Sequence, residues 1–138
     1  MLRKPDNMEK SITINSEQKN LRVVEKMVDE ISGEQKFSSE VYGKVLIAAI
    51  EAVNNAIMHG NKSNPQKKVD IKMSTSDKGL HIFVGDEGEG FDYENVPDPT
   101  APENIENVHG RGVFLMIQLS DEVHFFENGS KVELLFYI

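Results

Sequence analysis

The spacing of apolar residues predicts a short strand followed by a helix at the N-terminal end of the chain. Residues 11–15 (SITIN) alternate between apolar and polar positions, as a half-buried strand does. The spacing becomes helical immediately afterwards, and we expect Ser16 to cap a helix that ends at Gly33. The apolar positions of this helix are Leu21, Val24, Val28 and Ile31.

A second and more apolar helix is predicted next. It begins at Ser38 or Ser39, either of which is a suitable N-cap, and runs to His59. Gly60 follows as a stop signal, because glycine commonly ends helices. The expected core stripe of this helix is Leu46, Ile50, Val53 and Ile57.

Strand periodicity returns in the middle of the chain. Residues 69–74 (VDIKMS) and 80–84 (LHIFV) predict two strands of a hairpin, joined by the turn residues DKG. The pattern then breaks over residues 85–108, which are rich in glycine, proline, asparagine and acidic residues. A loop of that length inside a compact domain is usually functional or mobile.

The last third of the chain predicts one more helix and one more hairpin. The helix starts at Gly112 and contains the apolar run VFLMIQL. Residues 122–126 (EVHFF) and 131–138 (KVELLFYI) then alternate as strands around ENGS, in which Asn-Gly is a strong hairpin signal. Hairpins combined with helices indicate an α/β two-layer sandwich, in which a mixed, largely antiparallel sheet carries helices on one face.

Composition narrows the class of protein. A chain of 138 residues suits one domain, which we expect to cover 1–138 with a loose N-terminal segment at 1–9. It contains no cysteine, which excludes thiol catalysis and disulfides. No apolar run approaches the roughly 20 residues of a membrane span, so we expect a cytoplasmic protein without membrane attachment. The net charge of -8 argues against non-specific nucleic-acid binding.

Polar residues interrupt the apolar second helix in EAVNNAIMHGNK, residues 51–62. Asparagine is a poor residue for a helix interior, because its amide competes for backbone hydrogen bonds. Glu51 and Asn55 lie four positions apart and therefore project from the same face of the helix. A carboxylate and an amide oxygen held together could activate a hydroxyl and bind a hard cation such as magnesium. The alternative interpretation is a solvated helix flank.

A second constellation, VGDEGEGFD at residues 84–92, directly follows a predicted strand. It lacks the alternating oxygen ligands and the closing glutamate of a calcium loop. Asp86 could accept a hydrogen bond from an amino group, while Gly88 and Gly90 would let the backbone approach a flat ligand. The alternative is a flexible glycine turn.

A third constellation, HGRGVFLM at residues 109–116, places glycines on both sides of Arg111 before a predicted helix. The N-terminus of a helix exposes amide donors to a phosphate, and an arginine adds a charged fork. The residues form neither a Walker A pattern nor a complete dinucleotide fingerprint, which excludes the two common phosphate loops.

The order of these three motifs resembles the N, G1 and G2 boxes of the GHKL ATPase and kinase superfamily. Within it, EAVNNAIMHGNK and GRGVFLMIQLSDEV look like the bacterial anti-sigma-factor serine kinases. The resemblance implies a Bergerat-type ATP-binding fold and a lid over ATP at residues 91–109. The implied roles are Glu51 as general base, Asn55 as magnesium ligand, Asp86 as the adenine-reading acid, Gly88 and Gly90 as the adenine-side turn, Gly110, Arg111, Gly112 and Val113 at the phosphates, and Ser130 as the hydroxyl near adenine.

The same resemblance implies an activity and partners. The chain would be an ATP-dependent serine/threonine protein kinase that phosphorylates a small antagonist protein, sequesters a sigma factor and forms a homodimer. Two alternatives are a nucleotide-dependent binding module without turnover and the detached catalytic domain of a sensor histidine kinase. The second is less favoured, because no helix with a substrate histidine precedes the predicted fold. Asn54 and His59 are interpreted as helix-packing and helix-end residues rather than ligands.

Overall fold

The structure, a computed structural model, describes residues 8–90 and 108–138. Five strands and three helices form the frame of this part of the chain. In chain order they are β1 (Glu9–Asn15), α1 (Leu21–Gln35), α2 (Ser39–Asn55), β2 (Lys68–Ser76), β3 (Gly79–Gly85), α3 (Val108–Leu119), β4 (Glu122–Phe126) and β5 (Lys131–Phe136). A 3-10 turn at Gln18–Asn20 precedes α1, and a π-helical turn at Ala56–Gly60 continues α2.

The strands form a single sheet in the order β1-β2-β3-β5-β4. All four strand pairs are antiparallel, so the sheet is more regular than the mixed sheet expected from the sequence. Inward-facing residues of β2 and β3 alternate with exposed or half-buried ones, and they share one core with the helices. The predicted two-layer sandwich is therefore confirmed.

Small residues make up much of the buried face of α2 and the turn that continues it. Val53 and Ile57 are buried as predicted, whereas Leu46 and Ile50 are only partly buried at the margin of the core. The positions that pack directly into the core are mainly alanines: Ala48, Ala49, Ala52 and Ala56. The predicted core stripe was therefore partly wrong, because it was drawn through the largest apolar side chains and left out the alanines. Alanine lets the helix backbone approach its neighbours closely, and the larger residues then flank the contact.

Both predicted ends of the first helix were wrong. The Ser16 hydroxyl does not cap a helix, because it donates a 2.8 Å hydrogen bond to the carbonyl of Lys67. The α-helix begins only at Leu21, after the 3-10 turn. It also continues through Gly33 and ends at Gln35, where Lys36 takes the left-handed conformation that was expected of the glycine.

Later boundaries agree more closely with the sequence. Ser38 caps α2 by accepting a hydrogen bond from the Val41 amide. The Asn-Gly hairpin between β4 and β5 is present, with Asn128 in the left-handed conformation. The third helix, however, begins at Val108 rather than Gly112. Residues 1–7 and 91–107, which include most of the expected lid, lie outside the described residues.

The helical stretch Ser39–Gly60 is long and apolar enough, by length and composition, to cross a membrane. It also carries Glu51, Asn54 and Asn55, and it forms the centre of the helical layer. A core helix passes the same test of length and composition, and this segment contributes Val45, Val53, Ile57 and four alanines to the core.

Candidate functional site

Glu51 and Asn55 face the beginning of α3 and line one cavity with it. The cavity has a volume of about 400 Å³, which lies in the range of roughly 300–1,000 Å³ for small-molecule sites. Its lining residues are Glu51, Asn54, Asn55, Met58, His59, Arg111 and Gly112. The structure therefore brings the predicted Glu-x-x-x-Asn pair together with the predicted Arg-Gly segment, although they are far apart in sequence.

A narrow crevice extends from the same region toward the sheet. It holds only about 10 Å³, on the order of the space for one water molecule. Asp86 and Ser130 line it together with Asn55, so Asn55 borders both the crevice and the larger cavity. The predicted residues from the helix, the strand end and the last hairpin thus converge around Asn55.

The side-chain oxygen of Asn55 is the polar atom at this junction that lacks a partner. Oδ1 is buried and accepts no hydrogen bond from any residue that the structure describes. A buried acceptor without a partner costs about 1–3 kcal/mol, so such an atom is uncommon unless a ligand, ion or water satisfies it. Amide oxygens are ordinary ligands of magnesium. The chemistry of this buried oxygen therefore fits a ligand of a magnesium ion.

Glu51 is a half-buried carboxylate that lies against α3. A β-carbon added to Gly112 would come within 2.9 Å of Glu51 Oε2, which shows how closely the carboxylate approaches the helix backbone. Burial raises the pKa of Glu51 above its usual value. A carboxylate with a raised pKa is a stronger base while it is still ionised near neutral pH.

Asp86 lies directly after β3 and lines the crevice. Its backbone amide donates a 2.9 Å hydrogen bond to the Ser130 carbonyl, and its Oδ1 accepts a 2.8 Å hydrogen bond from the Gly88 amide. Burial raises its pKa, while the Gly88 amide and the charges of Lys67 and Lys131 oppose that shift. The second carboxylate oxygen, Oδ2, faces the end of the helical segment.

The π-helical turn at Ala56–Gly60 determines how close the helix comes to Asp86. A β-carbon on Gly60 would stand 2.2 Å from Asp86 Oδ2, and one on Gly88 would stand 2.1 Å from the Gly60 carbonyl oxygen. Both distances are far shorter than side-chain contacts allow. Gly60 is therefore more than a helix stop, because it leaves room for the carboxylate of Asp86.

Gly90 makes a similar close approach on the other side of the loop. Its φ of +92° lies in the region that favours glycine, and a β-carbon there would lie 1.9 Å from the Asn128 carbonyl oxygen. From the sequence, Gly88 and Gly90 are expected to let the backbone approach a flat ligand. In the structure, their close neighbours are backbone atoms of this chain at Gly60 and Asn128.

Ser130 supports Asp86 mainly through its backbone. Its carbonyl accepts the hydrogen bond from the Asp86 amide, and its hydroxyl donates to the Glu127 carbonyl at 2.9 Å. The hydroxyl hydrogen is therefore already used in a hydrogen bond within the hairpin turn. The side chain nevertheless borders the crevice, where its oxygen can still accept a hydrogen bond.

The phosphate-type segment lies within the first turns of α3 rather than ahead of the helix. Gly110 and Gly112 are helical residues, and Arg111 is exposed and lines the larger cavity. Val113 is fully buried in the core and is not among the residues that line the cavity. The amides of the first helical turn have no partner within the helix and are suited to bind an anion.

Asn61 is not among the predicted site residues, yet its side chain is almost completely buried and accepts a hydrogen bond from the Glu87 amide. In sequence it is one polar residue of the run NKSNP after a glycine, a pattern typical of turns. Asn54 accepts a hydrogen bond from Gln18 Nε2 at 3.2 Å, which agrees with the packing role predicted for it. His59 lines the cavity and is closer to the site than a helix-end role required.

A larger concavity, of about 650 Å³, lies mainly on the sheet face that carries no helices. Its walls include outward-facing residues such as Thr13, Asp70, Lys72 and Phe83, and Asp86 lies at its margin. Thr13 and Asp70 there already bond each other at 2.7 Å. We place the candidate site in the smaller cavity, because the buried oxygen without a partner and the carboxylate with the raised pKa at Glu51 both lie there.

Comparison with known proteins gives one family and several relatives. The model of the family described as "Histidine kinase-like ATPase domain" matches residues 14–136. The protein named serine-protein kinase RsbW of Staphylococcus epidermidis is 35% identical over 100 residues, which cover 67% of this chain and 63% of that protein. Those of Staphylococcus aureus and Oceanobacillus iheyensis are 34% and 29% identical with the same coverage. The chain thus covers less than two thirds of the length of these relatives.

Proposed function

This chain belongs to the histidine kinase-like ATPase domain family, and we propose that it is an ATP-dependent serine/threonine protein kinase of the anti-sigma type. The observation that carries the proposal is the buried Oδ1 of Asn55, which has no partner among the described residues and lies between the Glu51 cavity and the Asp86 crevice. Family membership supports nucleotide binding in general. The magnesium ion, the phosphorylated residue and the partners are specific to the proposal.

The proposed arrangement of magnesium-ATP follows the two cavities. Asp86 would accept a hydrogen bond from the amino group of adenine, because a carboxylate is an acceptor and the amino group a donor. The crevice has room for about one water molecule, so the adenine ring would lie outside it. Asn55 Oδ1 would bind the magnesium ion. Arg111 and the first-turn amides of α3 would hold the phosphates in the larger cavity. In this arrangement magnesium neutralises charge on the transferred phosphoryl group.

Glu51 is the proposed general base. Its carboxylate borders the cavity in which the phosphates would lie, and burial raises its pKa. It would accept the proton of the attacking serine or threonine hydroxyl as the oxygen bonds to the γ-phosphorus and the bond to the β-phosphate oxygen breaks. Phosphoryl transfer depends mainly on positioning and charge neutralisation, so no covalent enzyme intermediate is required.

The proposed partners come from the resemblance and from the names of the relatives. The relatives are named serine-protein kinases, and the sequence motifs resemble kinases that act on a small antagonist and hold a sigma factor. We therefore propose a small antagonist protein as phosphorylation substrate, a sigma factor as the sequestered partner, a homodimer as the assembly and the cytoplasm as the place of action. Phosphorylation of the antagonist would leave the kinase free to hold the sigma factor.

The experiment is a phosphate-transfer assay with radiolabelled ATP and the small proteins encoded beside this chain's gene as substrates. The proposal predicts magnesium-dependent label on serine or threonine of one of them. Tight binding of ATP and a partner with no transfer of label would instead support a binding module. Label on a histidine of an added helical domain would support a sensor kinase domain.

A further inference from the structure

Asn61 follows the π-helical turn directly, and its side chain makes three of the four hydrogen bonds that a carboxamide can form. Nδ2 donates to Ser16 Oγ at 2.8 Å and to the Lys68 carbonyl at 2.9 Å, while Oδ1 accepts from the Glu87 amide at 2.8 Å. The residue is 1% exposed. One buried carboxamide therefore joins the end of β1, the start of β2 and the loop that carries Asp86.

The bond to Glu87 matters most, because Glu87 follows Asp86 directly. The Asp86 amide is held by the Ser130 carbonyl, and the next amide along the chain is held by Asn61 Oδ1. These two bonds fix the peptide groups on either side of the Asp86 side chain. Asn61 is in turn held by its own amide, which donates to the Ala56 carbonyl at 2.8 Å and completes the π-helical turn. The helix and the Asp86 loop are thereby placed relative to each other.

We propose that Asn61 is a positioning residue that sets the direction of the Asp86 carboxylate and, through it, the preference of the site for adenine. The inference rests on the proposed function, in which Asp86 accepts a hydrogen bond from the base. Guanine presents a carbonyl oxygen where adenine presents its amino group, so a correctly directed carboxylate favours adenine and repels guanine. A carboxylate that is free to turn away discriminates less.

A purely structural role for Asn61 predicts a different outcome. Loss of a buried hydrogen-bonding group would then lower the stability of the fold. It would also lower the affinities for ATP and GTP by the same factor. Ser16→Ala is the matched control, because it removes one of the partners of Asn61 Nδ2 and also the Ser16 bond to the Lys67 carbonyl. It leaves the bond between Asn61 and the Glu87 amide in place.

The test compares Asn61→Ser with Ser16→Ala, with affinities for ATP and GTP measured by calorimetry at a temperature where every variant is folded. Serine is too short to reach both strands and the Glu87 amide. We expect the ratio of ATP to GTP affinity to fall about tenfold in Asn61→Ser, the effect expected of a misdirected charge-assisted hydrogen bond. A second contact, between the Lys68 amide and the Glu87 carboxylate, keeps the loop closed, so the loss is partial. The ratio should stay within about twofold of wild type in Ser16→Ala.

Amide hydrogen exchange without nucleotide tests the positioning separately from the proposed function. The Glu87 amide should exchange slowly in the wild type and in Ser16→Ala, and markedly faster in Asn61→Ser. Fast exchange at Glu87 in the wild type would overturn the proposal even if Asn61→Ser does not fold. An unchanged ratio of ATP to GTP affinity in a folded Asn61→Ser would overturn it as well. A wild type that binds no nucleotide would contradict the proposed function, whereas the exchange result would still decide whether Asn61 holds the loop.

Discussion

Replacement of Gly60 by alanine is expected to weaken adenine nucleotide binding while it leaves the fold intact. The added β-carbon would lie 2.2 Å from Asp86 Oδ2 and 2.7 Å from Asp86 Oδ1. Ordinary van der Waals contact begins at 3.4 Å, so the carboxylate has to move by about 1.2 Å. The clash is with the whole carboxylate, including Cγ at 2.3 Å, rather than with backbone. The Asp86 side chain therefore has to rotate about its Cα–Cβ bond to relieve it.

This movement lowers the affinity for ATP rather than the stability of the fold. A hydrogen bond to a charged group contributes about 1.5–3 kcal/mol, and a displacement of this size takes the acceptor out of bonding range. The affinity for ATP should therefore fall roughly ten- to a hundredfold. The fold should tolerate the change, because alanine in a helix is more favourable than glycine by about 0.5–1 kcal/mol.

Calorimetric titration with magnesium-ATP, accompanied by thermal melting, measures both effects. Gly43→Ala is the matched control, since Gly43 lies in α2 and a β-carbon there would meet nothing within 4 Å. We expect that control to keep wild-type affinity with an equal or higher melting temperature. A folded Gly60→Ala variant that binds ATP as well as the wild type would refute the placement of Asp86 at the adenine.

Three further variants test the other parts of the site. Asn55→Ala should lose the magnesium-dependent part of ATP affinity, and calorimetry that finds equal ATP affinity with and without magnesium in the wild type would count against the metal role. Asp86→Asn should lose adenine binding, because an amide replaces the carboxylate that accepts the hydrogen bond. Its melting temperature should stay the same or rise, because the variant lacks a carboxylate whose pKa burial raises. Unchanged affinity for ATP would show that Asp86 is not part of the site. Glu51→Gln should flatten part of the pH dependence of stability. Burial raises the folded-state pKa of Glu51 above its usual value of 4.5, so the folded state binds more protons, and the free energy of unfolding falls as the pH rises from that value through the folded pKa. Urea unfolding across this range should show the fall in the wild type and a smaller one in the variant, and identical slopes would contradict the burial of Glu51.

Local signals predicted the elements whose ends are decided locally. Asn128-Gly129 predicted the last hairpin correctly, because asparagine and glycine readily adopt the positive φ angles that the turn requires. Ser38 capped its helix because a serine before a helical run needs only the amide three residues on. Ser16 failed as a cap because the Lys67 carbonyl, brought near by pairing of β1 with β2, takes its hydroxyl.

The convergence of the site followed from the sequence only in part. The spacing of Glu51 and Asn55 placed both side chains on one helix face, which depends on helix geometry alone. The contact of Gly60 with Asp86 depends on how the π-helical turn meets the end of β3, which no local pattern encodes. The role of Asn61 could not be predicted either, because the partners of its side chain come from three separate segments.

Kinase activity through Glu51 is tested by phosphate transfer with the wild type and with Glu51→Gln. The substrate is a genetically adjacent small protein, and ATP binding is measured in parallel. The substitution removes the base while it keeps the size and hydrogen-bonding capacity of the side chain. The account predicts magnesium-dependent label on serine or threonine with the wild type, and a fall in turnover by about a hundredfold or more in the variant with ATP affinity retained. Equal transfer by the two proteins, or a loss of ATP affinity that parallels the loss of transfer, would contradict it.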